Sequence, residues 1–251
     1  MTLSKKKLST IIPEEVEKFS AISSEWWDKN GKFKPLHQLN PARLLFVRDV
    51  ACQHFQDLNP KSKYPLKDLK ILDVGCGGGI MSESMAKLGA KVVGLDPSSK
   101  NIQVAKSHAK VSGLDIDYIS TDIEKFSKEN KDKFNIILNL EAIEHVDNPD
   151  QFISISSLCL KSGGVMCIST INRNAKSFLM AIIGAEYVLR WLPIGTHNWK
   201  KFFKPSEIVK LAEDSNLKLL KSKGFEFNII KNNWSLSNNL NVNYILAFHK
   251  K

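Results

Sequence analysis

The chain has 251 residues, 43% of them hydrophobic and 25% charged, a mix that builds a packed globular core and excludes a disordered chain. A formal net charge of +10 admits nucleic acid, anionic lipid or acidic small molecules as partners, or simply a solvated basic surface. Cys52, Cys76, Cys159 and Cys167 make no C-x-x-C pair, so four buried thiols in a reducing cytosol are expected rather than a disulfide framework.

The first thirteen residues carry Lys5, Lys6 and Lys7 but no long apolar run, which argues against a secretory signal. Glu14, Glu15 and Glu17 follow at once, against a transit peptide. No stretch reaches the roughly 18 uninterrupted apolar residues of a membrane span. One domain over 1–251 is expected, with a helical region over 1–65. A first helix opens at Pro13-Glu14-Glu15 and carries Val16, Phe19, Trp26 and Trp27. A second opens at Asn40-Pro41, with Asn40 as cap, Pro41 in the first turn, and Leu44, Leu45, Val47 and Val50 following. Gly31–His37 reads as a loop between them.

From Leu69 the pattern changes. Apolar runs at Ile71–Val74, Val92–Leu95, Ile116–Ser120, Phe134–Leu138 and Val165–Ile171 read as strands, separated by amphipathic stretches near 79–89, 98–112 and 148–160. Short apolar strands joined by helical crossovers predict a mostly parallel Rossmann-like α/β sheet with helices on both faces. After Pro205 come one more helix and two strands, Leu217–Ile229 and Val242–His249, with no helix between them. They predict an antiparallel C-terminal edge.

The first strand runs into Asp73-Val74-Gly75-Cys76-Gly77-Gly78-Gly79. Glycines allow positive φ and close backbone approach. The following helix offers free N–H groups at its start, so the turn reads as a nucleotide cradle. Asp96 ends the next strand, where a carboxylate can accept both ribose hydroxyls of an adenosine ligand, or cap the helix opening at Pro97-Ser98-Ser99. Asp122, after the third strand, can meet an adenine amine or cap the next turn. These features suit NAD and S-adenosylmethionine alike. The G-x-G-x-G spacing after Asp73, and the lack of a second nucleotide-binding half, favour S-adenosylmethionine.

The fourth strand ends in Asn139-Leu140-Glu141-Ala142-Ile143-Glu144-His145-Val146, beyond which a ligand should sit. In a helical turn, Glu141, Glu144 and His145 fall at i, i+3 and i+4 on one face. They can then hold a divalent cation, or form a solvated polar turn; His145 can instead be a general base.

Several further motifs carry a resemblance. Phe33-Lys34-Pro35-Leu36-His37, Asn40-Pro41-Ala42-Arg43-Leu44, the glycine turn, Glu141 with Glu144-His145, and Ser169-Thr170-Ile171-Asn172-Arg173-Asn174 are similar to those of the ubiquinone-biosynthesis O-methyltransferases. So are Gly184-Ala185-Glu186-Tyr187, Gly195-Thr196-His197 and Val242-Asn243-Tyr244. The resemblance covers about 14–250. It implies the class I methyltransferase fold and methylation of phenolic oxygens on polyprenylated phenol and quinol ring intermediates, at two steps of one pathway. By motif, Arg43, Gly75, Asp96 and Leu140 would contact S-adenosylmethionine; the glycine turn and strand ends add Asp73, Gly77, Gly79 and Asp122 as cofactor-binding candidates. Glu141, Glu144 and His145 would be catalytic and would hold a divalent metal such as magnesium. Ala142 and Ile143 depart from the family's pattern.

An apolar and basic insertion spans 172–204, centred on Phe178–Leu192 and ringed by Arg173, Lys176, Arg190, Lys200, Lys201 and Lys204, with Trp191 and Trp199. Apolar residues flanked by cations and tryptophan describe an element that docks on anionic lipid, or a helix that caps the site. A cytoplasmic protein at the inner face of the plasma membrane follows, with a ubiquinone-biosynthesis assembly as a possible partner. No nucleic acid is expected. The fourth strand lacks the D-P-P-Y or N-P-P-Y run of base-methylating enzymes, and no aromatic–basic platform is evident. A methyltransferase of another small acceptor, or a nucleic-acid enzyme, is the competing class.

Overall fold

A computed structural model describes residues 9–178, 199–228 and 233–251. The Gly184–Tyr187 and Gly195–His197 motifs and the centre of the apolar insertion lie outside the described residues.

The chain enters through α1 (Pro13–Ala21) and a short 3₁₀ turn (Ser23–Glu25), then α2 (Lys34–His54). The alternating part follows as β1 (Lys70–Val74), α3 (Ile80–Lys87), β2 (Lys91–Asp96), α4 (Ser99–Val111), β3 (Asp117–Ser120), α5 (Ile123–Phe126), β4 (Phe134–Leu140), α6 (Pro149–Cys159) and β5 (Leu160–Ile171). After α7 (Ala175–Ser177) come α8 (Pro205–Asp214), β6 (Leu217–Asn228), β7 (Asn233–Ser237) and β8 (Asn243–Lys250). The eight strands form one sheet in the order β3-β2-β1-β4-β5-β8-β6-β7. The first five pair in parallel; β8 joins β5 and β6 antiparallel, and β7 closes the edge.

Two cores follow from the period of two along a strand. Ile71, Ile136, Leu138, Val165, Cys167, Ile245 and Ala247 point to the face covered by α2 and α3. Their neighbours Leu72, Ile137, Met166, Ile168, Leu246 and Phe248 point to the face covered by α6 and α8. Because both faces are covered, the central strands read as continuous apolar runs rather than alternating ones. All four cysteines are free thiols; three are buried and Cys52 is half-buried.

The N-terminal helices differ from expectation. Trp26 and Trp27 lie beyond α1, after the 3₁₀ turn. The second helix starts at Lys34 instead of Pro41, so Pro35 occupies the first turn and Pro41 sits inside the helix. The ring of Phe33 stacks on Trp26 at 3.8 Å, which anchors this earlier start. Burial of Leu39, Ala42, Phe46 and Val47 offsets the amide that Pro41 lacks. β7 was not anticipated, since only Trp234 and Leu236 mark it in a polar stretch; both pack on the α2 face. Among the described residues no helix is long and apolar enough to cross a membrane.

β1 pairs with β2 on one side and β4 on the other. The strand order reverses there, which opens a crevice beyond the C-terminal ends of β1 and β4. Gly94 holds this region closed from the β2 side. A methyl at Gly94 would fall 2.6 Å from the Tyr118 ring and 3.0 Å from the Cys76 sulfur. Gly94→Ala is therefore expected to overpack the sheet and cost about 1–3 kcal/mol. Urea unfolding would show it as a lower midpoint with an unchanged slope.

Candidate active site

The glycine turn is tied to the end of β2. The amides of Gly75 and Cys76 both donate to the Leu95 carbonyl at 2.8 Å, and the Gly77 amide donates to the Asp96 carboxylate at 3.0 Å. Gly75, Gly77 and Gly79 take φ of 78°, 53° and 87°, a region costly for side chains bearing a Cβ. At Gly79 a methyl would also meet the Tyr118 hydroxyl. Cys76 packs against α4 residues and Tyr118 and also lines the second of two cavities in the crevice.

Asp96 is buried and engaged. It accepts from the Ser98 amide (2.8 Å), the Asn101 side chain (3.2 Å) and Gly77, so it braces the glycine turn against the start of α4, whose cap is Ser98 rather than Asp96. Burial raises its pKa above the usual carboxylate range. Asp122 caps α5 through the Lys125 amide and pairs with the Lys125 ammonium at 2.9 Å, while still lining the crevice. Asp73 is fully buried beneath the turn. It accepts from Ser82 at 2.6 Å, and burial lifts its pKa to about 6.

Two adjoining cavities fill the crevice. The first is lined by Gly75, Gly77, Asp96, Asp122 and residues of the N-terminal segment. Arg43, Asp73, Leu140 and Glu144 line the second. Phe19, Trp26, Gly75, Glu141 and His145 belong to both. The structure thus brings every proposed cofactor residue except Gly79 to these walls. Trp26 was expected on a helix. It lies instead across the glycine turn, where a methyl on Gly77 or Gly78 would come within 2.4 Å of it, and its indole N–H donates to Asn101 at 2.9 Å.

Seven carboxylates line the two cavities: Glu15, Asp73, Asp96, Asp122, Glu124, Glu141 and Glu144. Arg43 is the only lysine or arginine among the described lining residues. A chain of net charge +10 therefore presents an acidic crevice. Arg43 reaches Glu141 at 2.8 Å, and its Nε has no hydrogen-bond partner among the described residues.

Glu141, Glu144 and His145 do not share a helical face. Glu141 adopts φ of 51°, and only Ile143–His145 turn, as a 3₁₀ segment. Left-handed backbone at Glu141 keeps it out of the right-handed turn that begins two residues later, so the i, i+4 geometry is lost. Glu141 accepts from Ser169 and pairs with Arg43; Glu144 accepts from Thr170 at 3.0 Å. Burial, then the negative charge of Glu141, pushes Glu144 well above the usual carboxylate range. His145 turns its Nδ1 to Glu15, 3.0 Å away. Among the described residues no three His, Cys, Asp or Glu side chains are arranged to hold a metal ion. The three side chains supply donors of the right kind, but as placed they do not fit a cation, because Arg43 and Glu15 already engage two of them.

Ser169, Thr170 and Glu15 had no assigned role in the sequence. The first two were visible as polar residues closing β5, but their partners on the β4 loop were not.

A family model described as a methyltransferase domain matches residues 45–222. The chain is 50% identical over 243 residues to the ubiquinone biosynthesis O-methyltransferase of Pelagibacter ubique (strain HTCC1062), covering 97% of this chain and 100% of that protein. It is 49% identical to the one from Ruegeria sp. (strain TM1040), covering 96% and 98%. Among solved structures, a S-adenosylmethionine-dependent methyltransferase of Thermotoga maritima, a possible histamine N-methyltransferase, superposes with a TM-score of 0.64 at 16% identity, covering 94% of this chain and 100% of that one. The magnesium protoporphyrin IX methyltransferase of Synechocystis PCC 6803, solved with S-adenosylhomocysteine, gives 0.57 at 16% identity, covering 86% and 83%. Matches at about half identity over nearly the full chain, the sheet order and the glycine turn agree: the chain belongs to the ubiquinone biosynthesis O-methyltransferase family, on the class I S-adenosylmethionine-dependent methyltransferase fold.

Proposed function

We propose that this chain transfers the methyl group of S-adenosylmethionine to phenolic hydroxyls of polyprenylated ubiquinone precursors, of the 2-polyprenyl-6-hydroxyphenol and 3-demethylubiquinol type. The observation that carries this reading is the acidic double crevice with His145 on the wall common to both halves. The cofactor is a cation overall, with a sulfonium and an ammonium against one carboxylate. Surrounding carboxylates favour it, and its product loses the sulfonium charge. The same crevice disfavours polyphosphate ligands, which supports a small acceptor over nucleic acid.

The adenosine belongs in the first cavity, near Asp96 and Asp122. The open Nε of Arg43 suits the cofactor's carboxylate, beside Asp73 and Leu140. The sulfonium methyl is already electrophilic, so the protein must align an oxygen with it and remove a proton. A phenol ionises near 10 and is mostly neutral at pH 7. His145 takes that proton as general base, which can contribute about 10²–10⁴-fold. In-line alignment adds an orientation term of several kcal/mol.

The insertion over 172–204 brings the chain to an anionic membrane at the cytoplasmic face, where a polyprenyl tail resides, and into reach of other enzymes of the pathway. Support comes from its two described roots. Phe178 and Trp199 are exposed and meet edge to face at 6.4 Å, and Lys176 and Lys200 stand exposed nearby. Residues 179–198 lie outside the described structure. Lys201, half-buried, pairs with Glu15 at 3.2 Å.

Three outcomes are expected. Labelled S-adenosylmethionine should methylate a short-chain polyprenyl catechol, and His145→Ala should lower kcat by about 10²-fold or more; a catechol left unmethylated by protein that binds the cofactor would redirect the search to other acceptors. Asp73 takes up a proton as pH falls through about 6, which removes a negative charge from the crevice. Calorimetric affinity for S-adenosylmethionine should therefore weaken from pH 7.5 to 5.5 more than affinity for S-adenosylhomocysteine. Finally, Lys176→Glu with Lys200→Glu should reduce co-sedimentation with anionic vesicles, whereas unchanged sedimentation would count against the membrane contact.

A further inference from the structure

We propose that Glu15, from the N-terminal helix, is a positioning residue that locks His145 in the Nδ1–H tautomer and so leaves the proton-accepting lone pair on Nε2.

The two residues are 130 positions apart, and a specific set of contacts brings them together. The Thr10 amide donates to Glu124 at 2.6 Å. The Asp147 amide donates to the Thr10 carbonyl at 2.8 Å, and Ile11 makes an antiparallel bridge to Val146. Residues 10 and 11 are thereby fastened beside 146 and 147, directly after His145. The helix that starts at Pro13 then delivers Glu15 to the imidazole. α1 has no buried residue of its own, so these contacts and its Glu15 and Phe19 side chains hold it in place.

The chemistry at the contact admits one tautomer. An ionised carboxylate only accepts hydrogen bonds, so Nδ1 must carry a proton, and in the neutral imidazole the lone pair is then on Nε2. Glu15 stays ionised: the bond to His145 and the Lys201 ammonium hold its pKa at about 2. Its two oxygens are divided, Oε2 to His145 and Oε1 to Lys201. The Phe19 ring, 5.0 Å away and at 83°, packs against the imidazole and limits its rotation. A carboxylate behind a working histidine fixes tautomer and ring orientation, and its loss typically costs 10–100-fold. Glu15 lies outside residues 45–222, the part matched by the methyltransferase family model. The site is therefore completed by a segment N-terminal to the matched domain.

The kinetic part of this inference rests on His145 accepting the phenol proton; the tautomer itself does not. The test uses full-length protein labelled with ¹⁵N-histidine, with the His145 signal identified by its absence in His145→Gln. At pH 8 the wild type should show a protonated Nδ1 and an unprotonated Nε2. Glu15→Ala should shift the ring toward the Nε2–H form and lower kcat on the order of 10–100-fold, with KM for S-adenosylmethionine changed less than threefold. The isosteric Glu15→Gln keeps an acceptor oxygen and should retain more of both signals, and it stands in if the alanine variant misfolds. Lys201→Met should leave the tautomer in place. A wild-type His145 already protonated at Nε2, or a Glu15→Ala protein with unchanged tautomer and kcat, would overturn the proposal. A wild type with the expected tautomer but no phenol methylation would instead overturn the substrate reading and leave the Glu15 contact standing.

Discussion

One carbonyl oxygen organises this site. Leu95, at the end of β2, accepts the consecutive amides of Gly75 and Cys76. Two adjacent N–H groups can converge on one acceptor only if the chain between them curls tightly, and positive φ at Gly75 permits the curl. Asp96, the next residue, takes the Gly77 amide and continues the hold. The turn therefore cannot move without β2. The floor of both cavities, the start of α3 and the position of Asp96 are set by the same few bonds. Most of them lie in the buried interior, where leaving a polar group unpaired is costly.

On this floor the protein gathers negative charge. Burial raises Asp73 and Asp96, the Asp96 charge adds to the shift at Asp73, and proximity to Glu141 raises Glu144 further. Such an arrangement opposes stability at neutral pH. Asp73 binds its proton more tightly folded than unfolded, so its contribution is favourable at low pH and is lost as pH rises through the interval from 3.8 to about 6. A cationic ligand reverses that disadvantage. Among the described residues the lysines and arginines other than Arg43 lie away from the cavity walls, so overall charge and local charge have opposite signs.

The β4 loop shows how a short motif acquires its geometry from distant strands. Glu141 is held by Ser169 and Arg43, Glu144 by Thr170, and His145 by Glu15 and Phe19. Glu141 and Glu144 thus meet the end of β5, while His145 meets the N-terminal helix. Spacing along the chain made them look like one helical face, because a helical turn was assumed. The left-handed backbone at Glu141 takes it out of that turn, and β5 and the N-terminal helix supply partners that relative position in the sequence does not reveal.

By itself the sequence determined the parallel sheet, the antiparallel edge, the glycine turn and the acids that follow β2 and β3. These depend on local period, turn chemistry and strand ends, all of which are written in consecutive residues. It also contained the motifs that mark the family. The start of α2 at Lys34, the strand at Asn233–Ser237, Trp26 lying over the glycines, and the pairing of Glu15 with His145 were decided by the tertiary structure alone. Each depends on a contact that local period does not encode, such as Phe33 stacked on Trp26 or Trp234 packed on α2. Hydrophobic burial and charge pairing select among locally equivalent conformations, and that selection is made only when the sheet has brought the distant partners together.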